Sequence, residues 1–156
     1  MSRPVLAAIC DLLDNQGVQY RLVHHEPTYT SEESARVRGE SVRIGGKAIL
    51  MKTDKEFRLF VLCAALRVHS RAIKKELGLS RLRFAGEEEL REQTGLVPGS
   101  VPPFGRPILP LDLYCDPSVF ENEKIAFNAG SLTDSIIMST ADYRRVAAPV
   151  VFTFAR

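Results

Sequence analysis

The stretch GGKAILMKTDKEFRLFVLC, residues 45–63, decides how the rest of the chain is read. Two strand-like runs, KAILMKT (47–53) and FRLFVLCAAL (57–66), flank the short break Asp54-Lys55-Glu56. That pattern predicts a hairpin at the centre of a sheet. Lys47 stands directly behind Gly45-Gly46 at the mouth of the first apolar run. A lysine is a poor choice for a core strand and an ordinary one for a surface. Lys47 is therefore either a solvated charge at a strand end or a cation that the fold holds up to a substrate. The GGK triplet is too short for a phosphate loop, and it leads into a strand rather than a helix.

Helices and further strands are expected on both sides of this hairpin. Ser2 and Pro4 signal a helix start, Val5, Ile9, Leu12 and Leu13 recur at helical spacing, and Gly17 ends the run. VQYRLV (18–23) alternates like a half-buried strand. Thr30 and Glu33 have capping-box spacing for a short helix over 31–37, closed by Gly39. Ser70 is placed to cap RAIKKELG, a helix ending at Gly78 with Ile73 and Leu77 inside. Gly86 and the acids Glu87, Glu88 and Glu89 open another helix, which Gly95 ends. LDLYCD, KIAFNAG and SIIMST read as strands, Ser139 and Asp142 cap a helix TADYRRVA, and PVVFTF reads as a last strand.

The segment 94–110, TGLVPGSVPPFGRPILP, holds three glycines and five prolines in 17 residues. It cannot be regular helix or a central strand. It is too apolar for a flexible linker, and a boundary there would leave a short remainder to fold alone. It reads as a rigid, shaped loop, either a structural crossover or an element that builds a site.

With 156 residues, 45% apolar and 26% charged, the chain fits one domain over 1–156. Its net charge of +2, from 21 basic and 19 acidic residues, argues against a strongly electrostatic nucleic-acid binder while allowing a local basic face. No window approaches the ~18 apolar residues of a membrane span, and the acid-bearing N-terminus is unlike a signal peptide, so a cytoplasmic protein is expected. Cys10, Cys63 and Cys115 are scattered and read as buried thiols. His24, His25 and His69 form no metal-binding pattern, and neither a metal nor a cofactor is expected. No G-x-S-x-G nucleophile elbow, P-loop or G-x-G-x-x-G motif is present.

Four stretches together carry a resemblance. HHEPTYTSEESARVRG (24–39), GGKAILMKTDKEFRLFVL (45–62), IKKELGLSRLRFAGEEELREQTGLVPGSVPPFG (73–105) and IAFNAGSLTDSIIMSTADYRRV (125–146) resemble, in this order, the YbaK/prolyl-tRNA synthetase-associated domain family. These are free-standing, ProX-like relatives of the editing domain of bacterial prolyl-tRNA synthetases. The likeness implies a mixed α/β domain, with a curved, partly barrel-like mixed sheet flanked by helices. It implies hydrolysis of a small amino acid wrongly esterified to proline tRNA or a related tRNA. A non-catalytic module that holds a tRNA end or a nucleotide, and a purely structural partner domain, are the alternatives.

Carried onto this chain, Lys47 matches the family's essential lysine, and Gly99 matches the glycine whose backbone N–H faces the ester. Tyr20, His25, Pro98, Ser100, Phe104, Gly105, Asn128, Gly130, Ser131 and Asp134 match positions around the substrate. For Tyr20 a core role is an equal reading, and for His25 a structural one remains open. FNAGS (127–131) also reads as a turn in which Asn128 and Gly130 supply unusual backbone angles. The late glycine-rich turn, NAGSLTDS, lacks the histidine that synthetase-type and alanine-selective relatives carry, which implies that a different side chain is read there. The partners implied are the aminoacyl-tRNA acceptor end and an aminoacyl-tRNA synthetase. Arg67, His69, Arg71, Lys74, Lys75, Arg81 and Arg83 form a basic run that is either a solvated face or an acceptor-stem contact.

Overall fold

The computed structural model describes residues 4–156. Helix α1 (Val5–Asn15) follows Pro4 and buries Ile9 and Leu13, the stripe that the spacing predicts. Ser2 lies outside the described residues. Strand β1 (Tyr20–His24) comes next, but its alternation does not translate into burial, because it is an edge strand and Leu22 stays 48% exposed. Helix α2 (Ser31–Arg38) begins where the capping spacing places it, with Thr30 Oγ1 accepting from the Glu33 N–H at 3.1 Å.

The hairpin is formed by β2 (Gly46–Thr53) and β3 (Glu56–Cys63), paired antiparallel with Lys47 opposite Leu62. Asp54 turns the chain, and its carboxylate accepts the Ser80 and Arg81 N–H groups. The second strand stops at Cys63; the expected continuation through Leu66 is instead a turn, closed by the Leu66 N–H on the Cys63 carbonyl.

Next come α3 (Ser70–Leu77), β4 (Leu82–Phe84) and α4 (Glu87–Thr94). Ser70 is the first helical residue rather than the cap; His69 precedes it and makes no side-chain capping bond. Residues 95–111 contain no helix or strand, as the prolines require. The chain ends with β5 (Asp112–Cys115), β6 (Lys124–Asn128), β7 (Asp134–Ser139), α5 (Thr140–Ala147) and β8 (Val150–Val151). Only those two residues of PVVFTF form a strand; Phe154 instead drops into the core and donates its N–H to the buried Asp116 carboxylate.

The strands form two sheets, β4-β2-β3-β5-β8 and β1-β7-β6, with no closed barrel among the described residues. One parallel bridge, Gly45 to Ala126, links the two. The central strand β3 is buried on both faces. Its period of two sends Leu59 and Val61 into a core with Ile9, Ile125 and Phe127, while Phe60 and Leu62 join Ile73, Tyr114 and Phe154 on the other face. All three cysteines are free; Cys63 and Cys115 are buried, whereas Cys10 is only half-buried on α1.

Candidate active site

Where the two sheets meet, a cavity of about 220 Å³ opens between α2, the start of β2 and the proline-rich loop. Sites for drug-sized ligands measure roughly 300–1,000 Å³, so this one suits a smaller group such as an aminoacyl moiety. Its lining includes Thr28, Tyr29, Ser34, Arg38, Gly45, Gly46, Lys47, Gly99, Val101 and Asn128, and it contains no Asp, Glu or His.

Lys47 enters from the first turn of β2, where Gly45 and Gly46 are both buried against neighbouring chain. A Cβ on Gly45 would come within 2.8 Å of the Ala64 Cβ, so larger residues would close the space beside the lysine. Among the described residues the Lys47 side chain makes no hydrogen bond and no ion pair, its backbone being paired with β3. Partial burial lowers its pKa, which the nearby Arg67 reinforces and Cys63 and Glu32 oppose.

Arg38, which motif reasoning did not single out, is the second cation of the cavity. It is 7% exposed and has no carboxylate partner among the described residues. Its Nε donates to Ser135 Oγ at 2.9 Å and its Nη2 to Asn128 Oδ1 at 3.1 Å, while Nη1 has no partner among the described residues. Burial lowers the guanidinium pKa to about 10.

With Asn128 Oδ1 occupied by Arg38 and by the Ser135 hydroxyl, Asn128 Nδ2 is left to donate to the Gly99 carbonyl at 2.6 Å. Gly99 sits at φ 86°, a left-handed conformation costly for any side chain, and its own N–H has no partner among the described residues. A lysine, an arginine edge and a free glycine N–H are thus gathered around a space without a negative charge.

Lys47, Gly99 and Asn128 line this one cavity. His25 stands behind it: its Nδ1 lies 2.8 Å from the Glu26 carbonyl oxygen and its Nε2 2.8 Å from Ser135 Oγ, packed against the hydroxyl that orients Arg38. Ser100 is buried and turned inward, its hydroxyl donating to the Val97 carbonyl and its backbone carbonyl accepting the Gly130 N–H. Pro98 is exposed beside Gly99, outside the lining. Ser131 bonds Thr133, and Asp134 pairs with His24 at 2.9 Å, in a cluster at the β6–β7 turn away from the cavity.

Phe104, Gly105 and Tyr20 also lie outside the lining. Phe104 is 1% exposed and packs edge-to-face on Phe127 and Tyr143, so it is a core residue. Gly105 backs onto Leu111 and Leu113, where a Cβ would overlap the Leu111 carbonyl oxygen. Tyr20 directs its hydroxyl to Asp14 at 3.0 Å and packs its ring on the core beside Cys10. Of the basic run, Arg67 is the member whose charge reaches Lys47, whereas Arg83 is taken up by Glu89 in a two-pronged ion pair. Among the described residues no group of three or more His, Cys, Asp or Glu is placed to hold a metal ion, and no helix is long and apolar enough to cross a membrane.

Residues 25–146 match the aminoacyl-tRNA editing domain, and the chain belongs to that family. A multifunctional Ser/Thr-tRNA deacylase, ProXp-y, of Escherichia coli K12 is 36% identical over 93% of this chain and 89% of its own. The prolyl-tRNA editing protein ProX of Acetoanaerobium sticklandii is 22% identical over 89% of this chain and 88% of its own. A solved structure of a candidate trans-editing enzyme for prolyl tRNA synthetase shares the fold, with a TM-score of 0.85 at 23% identity over 100% of this chain and 99% of that one.

Proposed function

We propose that the protein is a trans-editing aminoacyl-tRNA deacylase that cleaves the ester of a small amino acid mischarged on proline tRNA or a related tRNA. The observation that carries this reading is that Lys47 and Gly99, from distant parts of the chain, line one small acid-free cavity, each with an unused donor. In the reaction, the oxygen of a water adds to the ester carbonyl, the carbonyl oxygen becomes an oxyanion, and the ester C–O bond breaks. The ribose oxygen leaves with the proton of that water, giving free amino acid and tRNA.

The Gly99 N–H and the Lys47 ammonium meet the developing oxyanion, and a preformed donor of this kind is commonly worth ~3 kcal/mol. Since no carboxylate or imidazole lines the cavity, the neighbouring ribose hydroxyl of the substrate positions the water. The name of the 36%-identical relative favours serine and threonine among small substrates. It also disfavours a non-catalytic tRNA-end or nucleotide-binding module.

The bridge from Gly45 to Ala126 brings the two sheets edge to edge, and in this reading they act as one curved, partly barrel-like sheet around the aminoacyl end. Arg67 and the exposed basic residues of α3 are the acceptor-stem contacts, a synthetase is the upstream partner that supplies the mischarged tRNA, and the setting is cytoplasmic. Deacylation of a panel of mischarged tRNAs tests the proposal. Lys47→Ala is expected to lose about 100-fold in rate, with Lys52→Ala and Lys55→Ala near wild type; equal rates for wild type and Lys47→Ala would remove Lys47 from its role.

A further inference from the structure

Two of the three buried side chains of α2 are polar, with Ala35 between them. Ser34 and Arg38 stand one helical turn apart and are 6% and 7% exposed, where a surface helix ordinarily buries an apolar stripe. Ser34 Oγ lies 2.8 Å from Thr28 Oγ1, and Thr28 is 2% exposed. These two hydroxyls carry two hydrogens; one lies between them, and the other has no acceptor among the described residues. Arg38 adds an Nη1 that is likewise unused. Leaving the spare hydroxyl hydrogen of so buried a pair without an acceptor is unfavourable unless something completes it.

All three side chains line the cavity that holds Lys47. A hydroxyl group, one donor with two acceptor sites, complements them: its oxygen accepts both from Arg38 Nη1 and from the spare hydrogen of the Ser34–Thr28 pair. We propose that Thr28, Ser34 and Arg38 form a subsite that reads the side-chain hydroxyl of a seryl or threonyl ester, which makes them specificity-determining residues. This rests on the deacylase reading above. An alanyl ester leaves the same groups empty, and sites built to hydrogen-bond a substrate hydroxyl discriminate strongly against analogues without one.

The test measures kcat/KM for seryl, threonyl and alanyl esters of the same tRNA, using wild type, Thr28→Val, Ser34→Ala, Thr28→Ser and Lys47→Ala. Wild type is expected to prefer seryl and threonyl over alanyl esters at least tenfold. Thr28→Val and Ser34→Ala are expected to cut that preference at least fivefold, by losing more rate on the hydroxylated esters than on the alanyl ester. Thr28→Ser, which keeps the hydroxyl, retains the preference, and Lys47→Ala lowers all three esters together. Equal wild-type turnover of seryl and alanyl esters, or a ratio unmoved in Thr28→Val and Ser34→Ala, overturns the subsite while leaving the deacylase intact. Absence of turnover on every ester by wild type overturns the deacylase reading and the subsite with it.

Discussion

Replacing Asn128 with aspartate isolates what holds the Gly99 loop. The substitution is isosteric, but the group that donates to the Gly99 carbonyl at 2.6 Å becomes a second acceptor. Two oxygens then face each other, and a carbonyl stripped of its partner loses roughly 1–3 kcal/mol. On the opposite side the new carboxylate accepts from Arg38 Nη2, now 3.1 Å from Asn128 Oδ1, and from the Ser135 hydroxyl. That ion pair offsets much of the loss to the fold, because among the described residues Arg38 has no carboxylate partner. Stability is expected to change little, whereas kcat/KM falls about 10- to 100-fold, the factor corresponding to ~1.4–2.7 kcal/mol of transition-state stabilisation. A second signature distinguishes this from simple damage: negative charge in an acid-free cavity raises the Lys47 pKa, so the alkaline limb of the rate profile moves to higher pH. Single-turnover deacylation from pH 6 to 10, with a thermal melt of the same samples, reads both. A variant within twofold of wild type in rate refutes the idea that Asn128 holds the Gly99 loop for catalysis.

Further outcomes follow from the same geometry. Burial lowers the Lys47 pKa, so deacylation is expected to decline at a pH below the ordinary lysine value of about 10.4. For stability the sign is opposite: as pH rises from the lowered folded pKa toward the unfolded one, the unfolded chain binds more protons, and this group's contribution to stability increases. Lys47→Met, which removes the buried charge, is expected to be inactive yet at least as stable as wild type; a marked fall in Tm would contradict this. Gly105→Ala places a Cβ against the Leu111 carbonyl and 3.1 Å from the Leu113 Cβ. It is expected to destabilise by about 1–3 kcal/mol, seen as a Tm fall of several degrees with no change in substrate preference.

What the sequence discloses is mainly local. The hairpin, the caps at Thr30 and Ser139, and the proline-rich loop each depend on neighbouring residues, and each appears where the pattern puts it. Arg38 is different. SEESARVR reads as a solvated polar helix, and nothing nearby signals that its arginine turns inward, since the partners that make this tolerable, Asn128 and Ser135, lie 90 and 97 residues away. Phe104 and Gly105 illustrate the converse. They belong to the same run as Gly99, but a loop has two faces: Gly99 and Val101 line the cavity while Phe104 packs on Phe127 and Tyr143. A motif marks a segment, and only packing assigns its faces.

The lack of an acid in the cavity is itself informative, because carboxylates are close at hand. Glu32 is near enough for its charge to act on Lys47, yet it is exposed and outside the lining. Glu40, two residues beyond the end of α2, is bound instead to Arg21 and Lys124. An internal ion pair at Lys47 or Arg38 would relieve the desolvation of those cations and add stability. It would also cancel the positive field where an oxyanion has to form. Keeping both cations unpaired while neutral hydroxyl and amide groups orient Arg38 sets substrate binding above stability at this one place, and the two hydrophobic clusters on either side of β3 supply what the cavity gives up.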